Sequence, residues 1–483
     1  MPRTLKQNYP DFTAFIDEID AHGISPALLQ KIINKHRPNA KYNEKLYKRY
    51  QVADGEVPIF RRLPRYEEDK PINNKVNNDF FSEIVDFKTG YFAGQPIAYG
   101  YSRGEEAEEV TGGIEAVDEA VKTLTDFITR NNMYGCDMET TKYASIYGYA
   151  GRLFYVDTEG NERVMPVHGY ETIILSKTDI SEPKYAIRYY KTYDINDNEK
   201  WIVEFYDDQN IYTYSGMLSS LEKDGEPKLH CFDYCPLQGI ANNKELLGDA
   251  EKVLALIDDY DKVLSDNSNE VEAFVHAYMV FENLGIDEGT AKKLQKSGII
   301  DMKSVGVQEG KVYFLTKNIN DTFTEHHLQR LEDNIYRFSR TPNLSDETFG
   351  SASGVSLKFK LHGLETKCGM FEAKMLDAAQ HMFKVLASAW VKKSISFDPL
   401  QVTLDFKRNF PLDEEGIART MQAYKAVGMP MEWIIRQAPS IDDPNWVMDL
   451  IAEEQSASVE AMYEEAAATE EAVNEELNNL LQA

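Results

Sequence analysis

Three stretches in the second half of this chain carry apolar residues at helical spacing, each on one side only. Leu246, Ala250, Val253, Ile257, Tyr260 and Leu264 step by four and three, while Asp249, Glu251, Lys252, Asp258, Asp259 and Asp261 occupy the other side. Leu328, Leu331, Ile335 and Phe338 mark a second such helix. Leu357, Leu361, Leu364, Cys368, Phe371, Met375, Met382, Leu386 and Trp390 mark a third. Its first residues, "VSLKFKL", also alternate as a strand would, but the helical period continues to Trp390 and favours helix. Long one-sided helices must bury their apolar faces against a body or another subunit, and closed cyclic assembly is an ordinary solution.

Between the first two helices lies a small insert, Val271 to Leu315. It reads as a strand in "EAFVHAYMVFENLG", a short helix in "GTAKKLQKSG" and a strand in "GKVYFLTKN". Helix, mixed insert and returning helix suggest a rod that leaves a body, turns in a knob and comes back.

The first half is mixed. "PDFTAFIDEID" is a short helix entered through Pro10, and "SPALLQKIINKH" another, with Ser25 as cap and Pro26 at the first position. Phe80, Ile84, Val85 and Phe87 suit a helix that Gly90 and Gly94 break before the strand-like "QPIAYG". Ile114 to Ile128 is helical. Tyr143 to Tyr214, rich in aromatic and branched residues, reads as one antiparallel sheet of several strands. After Trp390, "SISFDPLQVTLDF" returns to strand, and Pro411, Asp413 and Glu414 open a last helical region. Its end, from Ile451, is acidic and carries no Lys or Arg, as a solvated terminal helix would. The fold class is α+β.

The 483 residues carry a formal charge of -28, which disfavours a general nucleic-acid coat but leaves room for DNA in a shaped channel. Within that acidic chain, Lys31 to Lys75 is locally basic, with Lys35, Arg37, Lys41, Lys45, Lys48, Arg49, Arg61, Arg62 and Arg65. A solvated helix face explains it; contact with an acidic partner or nucleic acid is the alternative. Cys136, Cys231, Cys235 and Cys368 form no disulfide framework, and no signal-like or membrane-spanning stretch stands out, so an intracellular, reducing setting and no membrane partner are expected.

Enzyme chemistry finds little support. The link "RTPNLSDETFGSASGVSLKFKL" has Gly350 and Gly354, but Lys358 comes too late for a phosphate-binding Gly-Lys-Ser/Thr loop. "HCFDYC" offers His230, Cys231 and Cys235 without a second ligand pair, so core or strand cysteines are expected and no metal. His326 and His327 are adjacent and point apart on a helix. A two-metal nuclease needs carboxylates converging from different elements, whereas Asp258, Asp259 and Asp261 suit a solvated or channel-facing side. No cofactor is expected.

Two motifs carry a resemblance. "NNKVNNDFFSEIVDFKTGYFAGQPIAY" (73 to 99) and "NIYRFSRTPNLSDETFGSASGVSLKFKLHGLETK" (334 to 367) resemble the portal proteins of tailed bacteriophages, specifically the SPP1-like portal family. The helix-insert-helix order and the later "FPLDEE" agree with that family's layout. The resemblance implies a ring, usually of twelve subunits, at one capsid vertex of the virion. Through it double-stranded DNA is packaged and ejected, with transient, non-specific contact. It further implies docking to the terminase large subunit, a head-completion or adaptor protein, scaffold and major capsid protein, with assembly in the host cytoplasm. By the same resemblance residues 1–244 are a wing, 245–268 and 321–340 the two stem helices, and 269–320 a small α/β clip. Residues 357–411 are the long tunnel and wing helix with wing strands, and 412–483 a helical crown with an acidic end.

The implied tunnel loop comprises Thr341, Pro342, Asn343, Leu344, Ser345, Asp346, Glu347, Thr348, Phe349, Gly350, Ser351, Ala352, Ser353, Gly354, Val355 and Ser356. Asp258, Asp259, Asp261, Lys358 and Lys360 are candidate channel-facing residues. Small residues would let neighbouring loops and DNA approach closely, and the acidic pair Asp346 and Glu347 favours sliding over grip. An acidic oligomeric scaffold or adaptor is the alternative from another class, a metal-dependent nuclease the next.

Overall fold

The structure is a computed structural model. It describes residues 9–53, 55–64, 72–101, 113–275, 278–282, 289, 311–315, 321–344, 354–409, 414–436, 438, 447–448 and 450–452. The chain divides into two compact units: residues 1–351 with 359–409, and residues 352–358 with 410–483.

Helix α1 (Thr13–His22) begins where Asp11 accepts hydrogen bonds from the Thr13 backbone and hydroxyl. Helix α2 (Pro26–Tyr50) starts as its sequence indicates, the Ser25 hydroxyl capping the Leu28 amide at 3.3 Å. It runs well past His36 and through Pro38. Buried Leu29, Ile32, Ile33, Ala40 and Leu46 keep three- and four-residue spacing across the proline, so packing outweighs the lost backbone bond. Helix α3 (Phe80–Ala93) passes through Gly90 and stops at Gly94, so only the second glycine is a breaker. Strand β1 (Ala98–Tyr101) and helix α4 (Gly113–Arg130) follow.

The expected single sheet from Tyr143 is corrected in two ways. Tyr143 to Tyr147 close a helix, α5 (Met133–Tyr147), that ends at Gly148 with φ +99°. This helix is buried around much of its circumference, so it lacks the polar face that would have distinguished it from a strand. A side chain at Gly148 would collide with the Leu246 carbonyl, which makes glycine obligatory there. Beyond it the strands form two sheets. One has β2 (Tyr149–Val156) between β3 (Glu162–Val167) and β10 (Leu237–Ala241), all antiparallel. The other runs β4 (Thr172–Leu175), β5 (Tyr185–Tyr193), β6 (Glu199–Tyr206), β7 (Asn210–Met217) and β8 (Ser220–Lys223), with β9 (Lys228–Leu229) also on β7.

The first amphipathic helix is shorter at its start than its stripe suggests. Leu246 lies in a turn with φ +52°, Glu251–Val253 is a 3₁₀ turn, and α6 covers Leu254–Val275. The insert's two strands, β11 (Tyr278–Glu282) and β12 (Lys311–Leu315), pair antiparallel. The helix expected at "GTAKKLQKSG" lies outside the described residues apart from Gly289. Helix α7 (Asp321–Ser339) returns, and α8 (Gly354–Lys392) is helical from its first residue, as the long period favoured. Phe338 is not on the buried stripe of α7 but 53% exposed. Strand β13 (Val402–Asp405) comes back to pair with β1, Tyr99 opposite Leu404. The second unit holds α9 (Glu414–Ala426) and α10 (Met431–Arg436); the acidic stretch from 453 lies outside the described residues.

Among the described residues, a cluster between the two sheets, with Leu153, Val167, Ile174, Tyr206 and Leu237, joins three others that hold the first unit. One joins α1 and α2 to the larger sheet. A second joins α2, α3 and α5 to α6 and α7 through Phe80, Ile84, Ile146, Ile257 and Ile335. A third packs α4 and α5 on the later half of α8, with Trp390 1% exposed. Among them sits a buried charge cluster. Lys88 of α3 approaches Asp249 at 3.1 Å and donates to Asn242, while Lys367 of α8 approaches the same carboxylate at 3.2 Å. The Lys88 ammonium also lies 4.4 Å from the centre of the Phe371 ring. Burial alone would raise the Asp249 pKa, but Lys367 and Lys88 outweigh it and hold it down to about 2.

Asp249→Ala leaves two buried ammonium groups unpaired and is expected to cost about 3–5 kcal/mol in denaturant unfolding. The depressed pKa means stability that is complete above the unfolded value of about 4 and lost as pH falls toward 2. The wild-type protein should therefore lose stability through that window, and the Asp249→Ala variant should show a shallower slope there.

Candidate functional site

The segment of interest comprises α6, α7 and, from residue 359, α8 in the first unit. α6 and α7 pack through Val253, Leu254, Ile257, Ile335 and Tyr336, with Phe80 edge-on to Tyr260 at 5.0 Å and to Tyr336 at 5.8 Å. The Tyr336 hydroxyl donates to Glu83 of α3 at 2.9 Å.

One side of α6 is occupied by the asparagine-rich stretch before α3. Asp261 accepts from the Asn78 amide at 2.8 Å, Ser265 from the Val76 amide at 2.9 Å, and Asn269 from the Asn74 amide at 2.6 Å. The registers match physically: two extended residues advance about 6.6 Å, and four helical residues about 6 Å. The extended chain thus satisfies its amides on a helix face as it would on a neighbouring strand. The signal lay in the sequence as "NKVNN" beside Asp261, Ser265 and Asn269 at four-residue spacing, and sequence reasoning missed it.

This arrangement corrects the reading of Asp258, Asp259 and Asp261 as one solvated face. Asp261 is 1% exposed and consumed by Asn78. Asp258 is partly exposed and paired with Arg49 at 2.5 Å. Asp259 is partly exposed, 3.6 Å from the His327 ring. Arg62 likewise pairs with Asp266. The basic segment is therefore only partly a solvated face: its two innermost arginines neutralise α6, while Arg65 lies outside the described residues.

The link out of α7 is well anchored at its start. Arg340 adopts φ +58°, and the Thr341 amide returns to the Tyr336 carbonyl at 3.1 Å, closing the helix with a left-handed residue that is not glycine. Thr341 and Pro342 are buried, the Asn343 side chain donates to Glu332 at 3.0 Å, and Leu344 is exposed. Ser345 to Ser353 lie outside the described residues, which takes in Asp346, Glu347, Thr348, Phe349, Gly350, Ser351 and Ala352. Gly354 and Val355 belong to the first turn of α8; Ser356 and Lys358 are exposed and Lys360 half-buried.

The possible metal ligands do not converge. His230 faces the Asp207 carbonyl at 3.2 Å, Cys235 is buried with its thiol pushed up to about 12 by that burial, and Cys231 is exposed. No group of three His, Cys, Asp or Glu gathers among the described residues.

Comparison with known proteins bears on the same segment. The family profile described as "Phage portal protein, SPP1 Gp6-like" matches residues 29–461. The chain is 24% identical over 463 residues to the portal protein of Bacillus phage SPP1, covering 90% of this chain and 87% of that one. It is 24% identical over 404 residues to the portal protein of Clostridium phage phiCD119, covering 79% and 85%. The chain belongs to the portal protein family of tailed phages, in its SPP1-like branch.

Because the buried Asp261 carboxylate accepts from both the backbone and the side-chain nitrogen of Asn78, Asp261→Ala should cost about 1–3 kcal/mol in thermal or denaturant unfolding. Asp259→Ala, at a partly exposed site whose carboxylate accepts no backbone amide, should stay within about 0.5 kcal/mol of wild type. Equal losses would mean that the asparagine stretch does not depend on α6.

Proposed function

We propose that this chain is the subunit of a ring at one capsid vertex, serving as the channel for double-stranded DNA in packaging and ejection. Family membership carries this reading. Its main physical support is the set of large apolar side chains left exposed on α6, α7 and α8. Val271, Phe323, Phe338, Phe359 and Met370 are between 48% and 77% exposed. Helices that display phenylalanine to this extent gain by burying it against a neighbouring copy, at about 25 cal/mol per Å².

In this reading residues 1–244 form a wing, and 245–268 and 321–340 a stem. Residues 269–320 are a clip that docks the terminase and later the head-completion protein. Residues 357–411 supply the long helix and strands that return to the wing, and 412–483 form a crown. A twelve-fold ring in the virion, with scaffold and major capsid protein as further neighbours, is part of the same proposal. The tunnel loop from Thr341 to Ser356 would stand in the channel, springing from the anchored turn at Arg340 and Thr341. Of the three aspartates, Asp259 is the one whose carboxylate is free of a buried structural task, so it is the channel candidate retained on α6, with Lys358 and Lys360 on α8.

Negative-stain images of the purified protein should show rings with a central hole of DNA-duplex width; a compact globule defeats the proposal. Phe338→Asp and Met370→Asp together should shift sedimentation from ring to monomer with the far-UV spectrum retained. Asp259→Asn combined with Asp346→Asn and Glu347→Gln should slow or stall DNA translocation in a packaging assay. Unchanged kinetics would remove these carboxylates from the sliding mechanism.

A further inference from the structure

Away from the channel helices, a cavity of about 420 Å³ opens between α2 and strands β5 and β6. Its floor is aromatic and apolar. Tyr189 is buried and stacked with Trp201, ring centres 6.0 Å apart, and its hydroxyl meets the ring of His36 at 2.9 Å, which fixes the floor. Ala40 and Leu218 complete it.

The charges around the rim are unequally committed. Glu199 accepts from the Trp201 indole at 2.9 Å and pairs with Lys191 at 2.7 Å. Glu44 pairs with Lys48 at 2.8 Å. Glu171 is half-buried; its burial pushes its carboxyl up, and Arg188 acts on it in the opposite sense. Arg37 and Lys41, one helical turn apart on the exposed side of α2, make no direct hydrogen bond or ion pair among the described residues, although the Arg37 charge acts on Glu199 across the rim. Glu171 also has no ion pair among the described residues, so the lining leaves two cations against one half-buried carboxylate above an apolar floor, a balance that favours an anionic ligand.

We propose that this cavity is a docking site for an acidic peptide segment of a separate protein. An apolar or aromatic side chain of that segment rests on Trp201 and Tyr189, and its flanking carboxylates meet Arg37 and Lys41. The argument is charge complementarity sharpened by context. A chain of net charge -28 repels an acidic partner over most of its surface, so two cations without a direct ion pair favour this site for such a partner.

The probe is a fluorescein-labelled peptide with a phenylalanine and a leucine between glutamates, titrated into the full-length assembled protein. A lysine-for-glutamate version and a peptide of residues 453–483 of this chain serve as competitors. The glutamate peptide should bind saturably, weaken as salt rises, and quench an emission component that Trp201→Phe removes. Arg37→Glu with Lys41→Glu should lower its affinity at least tenfold while melting temperature and ring assembly stay at wild-type values. Absence of saturable binding, tighter binding of the lysine peptide, or binding that survives the double charge reversal would overturn the proposal. Tighter binding of the 453–483 peptide than of the glutamate probe would overturn it too, by making the occupant this chain's own acidic segment.

Discussion

The geometry of the first unit turns on one buried carboxylate. Asp249 precedes α6 and is approached by Lys88 from α3 and Lys367 from α8, with Asn242 at the end of β10 completing the set. Two ammonium groups cannot be buried without that anion, and one anion cannot serve both unless the three elements converge on it. Removing a partner from such a cluster is costly, whereas replacing the whole cluster with apolar groups often is not. The cluster therefore imposes position more than it adds stability. It fixes where the long helix passes the start of α6, and so where the link between α7 and α8 springs from the body.

A second constraint acts along α6 itself. The stretch before α3 lies on the helix in an almost commensurate repeat, backbone amides of Asn74, Val76 and Asn78 meeting side chains of Asn269, Ser265 and Asp261. With Arg49 and Arg62 also paired to α6, much of its acidic character is used inside the subunit. Of Asp258, Asp259 and Asp261, only Asp259 lacks a close arginine or backbone-amide partner.

Family membership and these contacts fit one economy of design. One flank of α6, at Asp261, Ser265 and Asn269, is covered by the stretch before α3. The apolar side chains that remain outside, notably Phe323, Phe338 and Phe359, lie on the helices a ring would bring together. The cavity over Trp201 lies between α2 and the larger sheet, away from α6 and α7, so a partner there need not disturb those helices.

Much was legible in the residues alone. The 3.6-residue period located α6, α7 and α8 and decided for helix at "VSLKFKL"; Ser25 and Pro26 marked the start of α2; two motifs pointed to the portal family. Those features are local, or are carried by short contiguous patterns, and a sequence displays them directly. The surroundings of polar residues were another matter. Asp261 lies about 200° round the helix from Asp259, beside the apolar stripe, yet sequence alone does not show that Asn78, 183 positions away, folds over it and uses its carboxylate. The same holds for Tyr143 to Tyr147, helical because neighbours bury most sides of α5, and for one run of strands divided between two sheets by the distant β10. Periodicity records which side of a helix avoids water; only the tertiary structure decides which charges lose access to it.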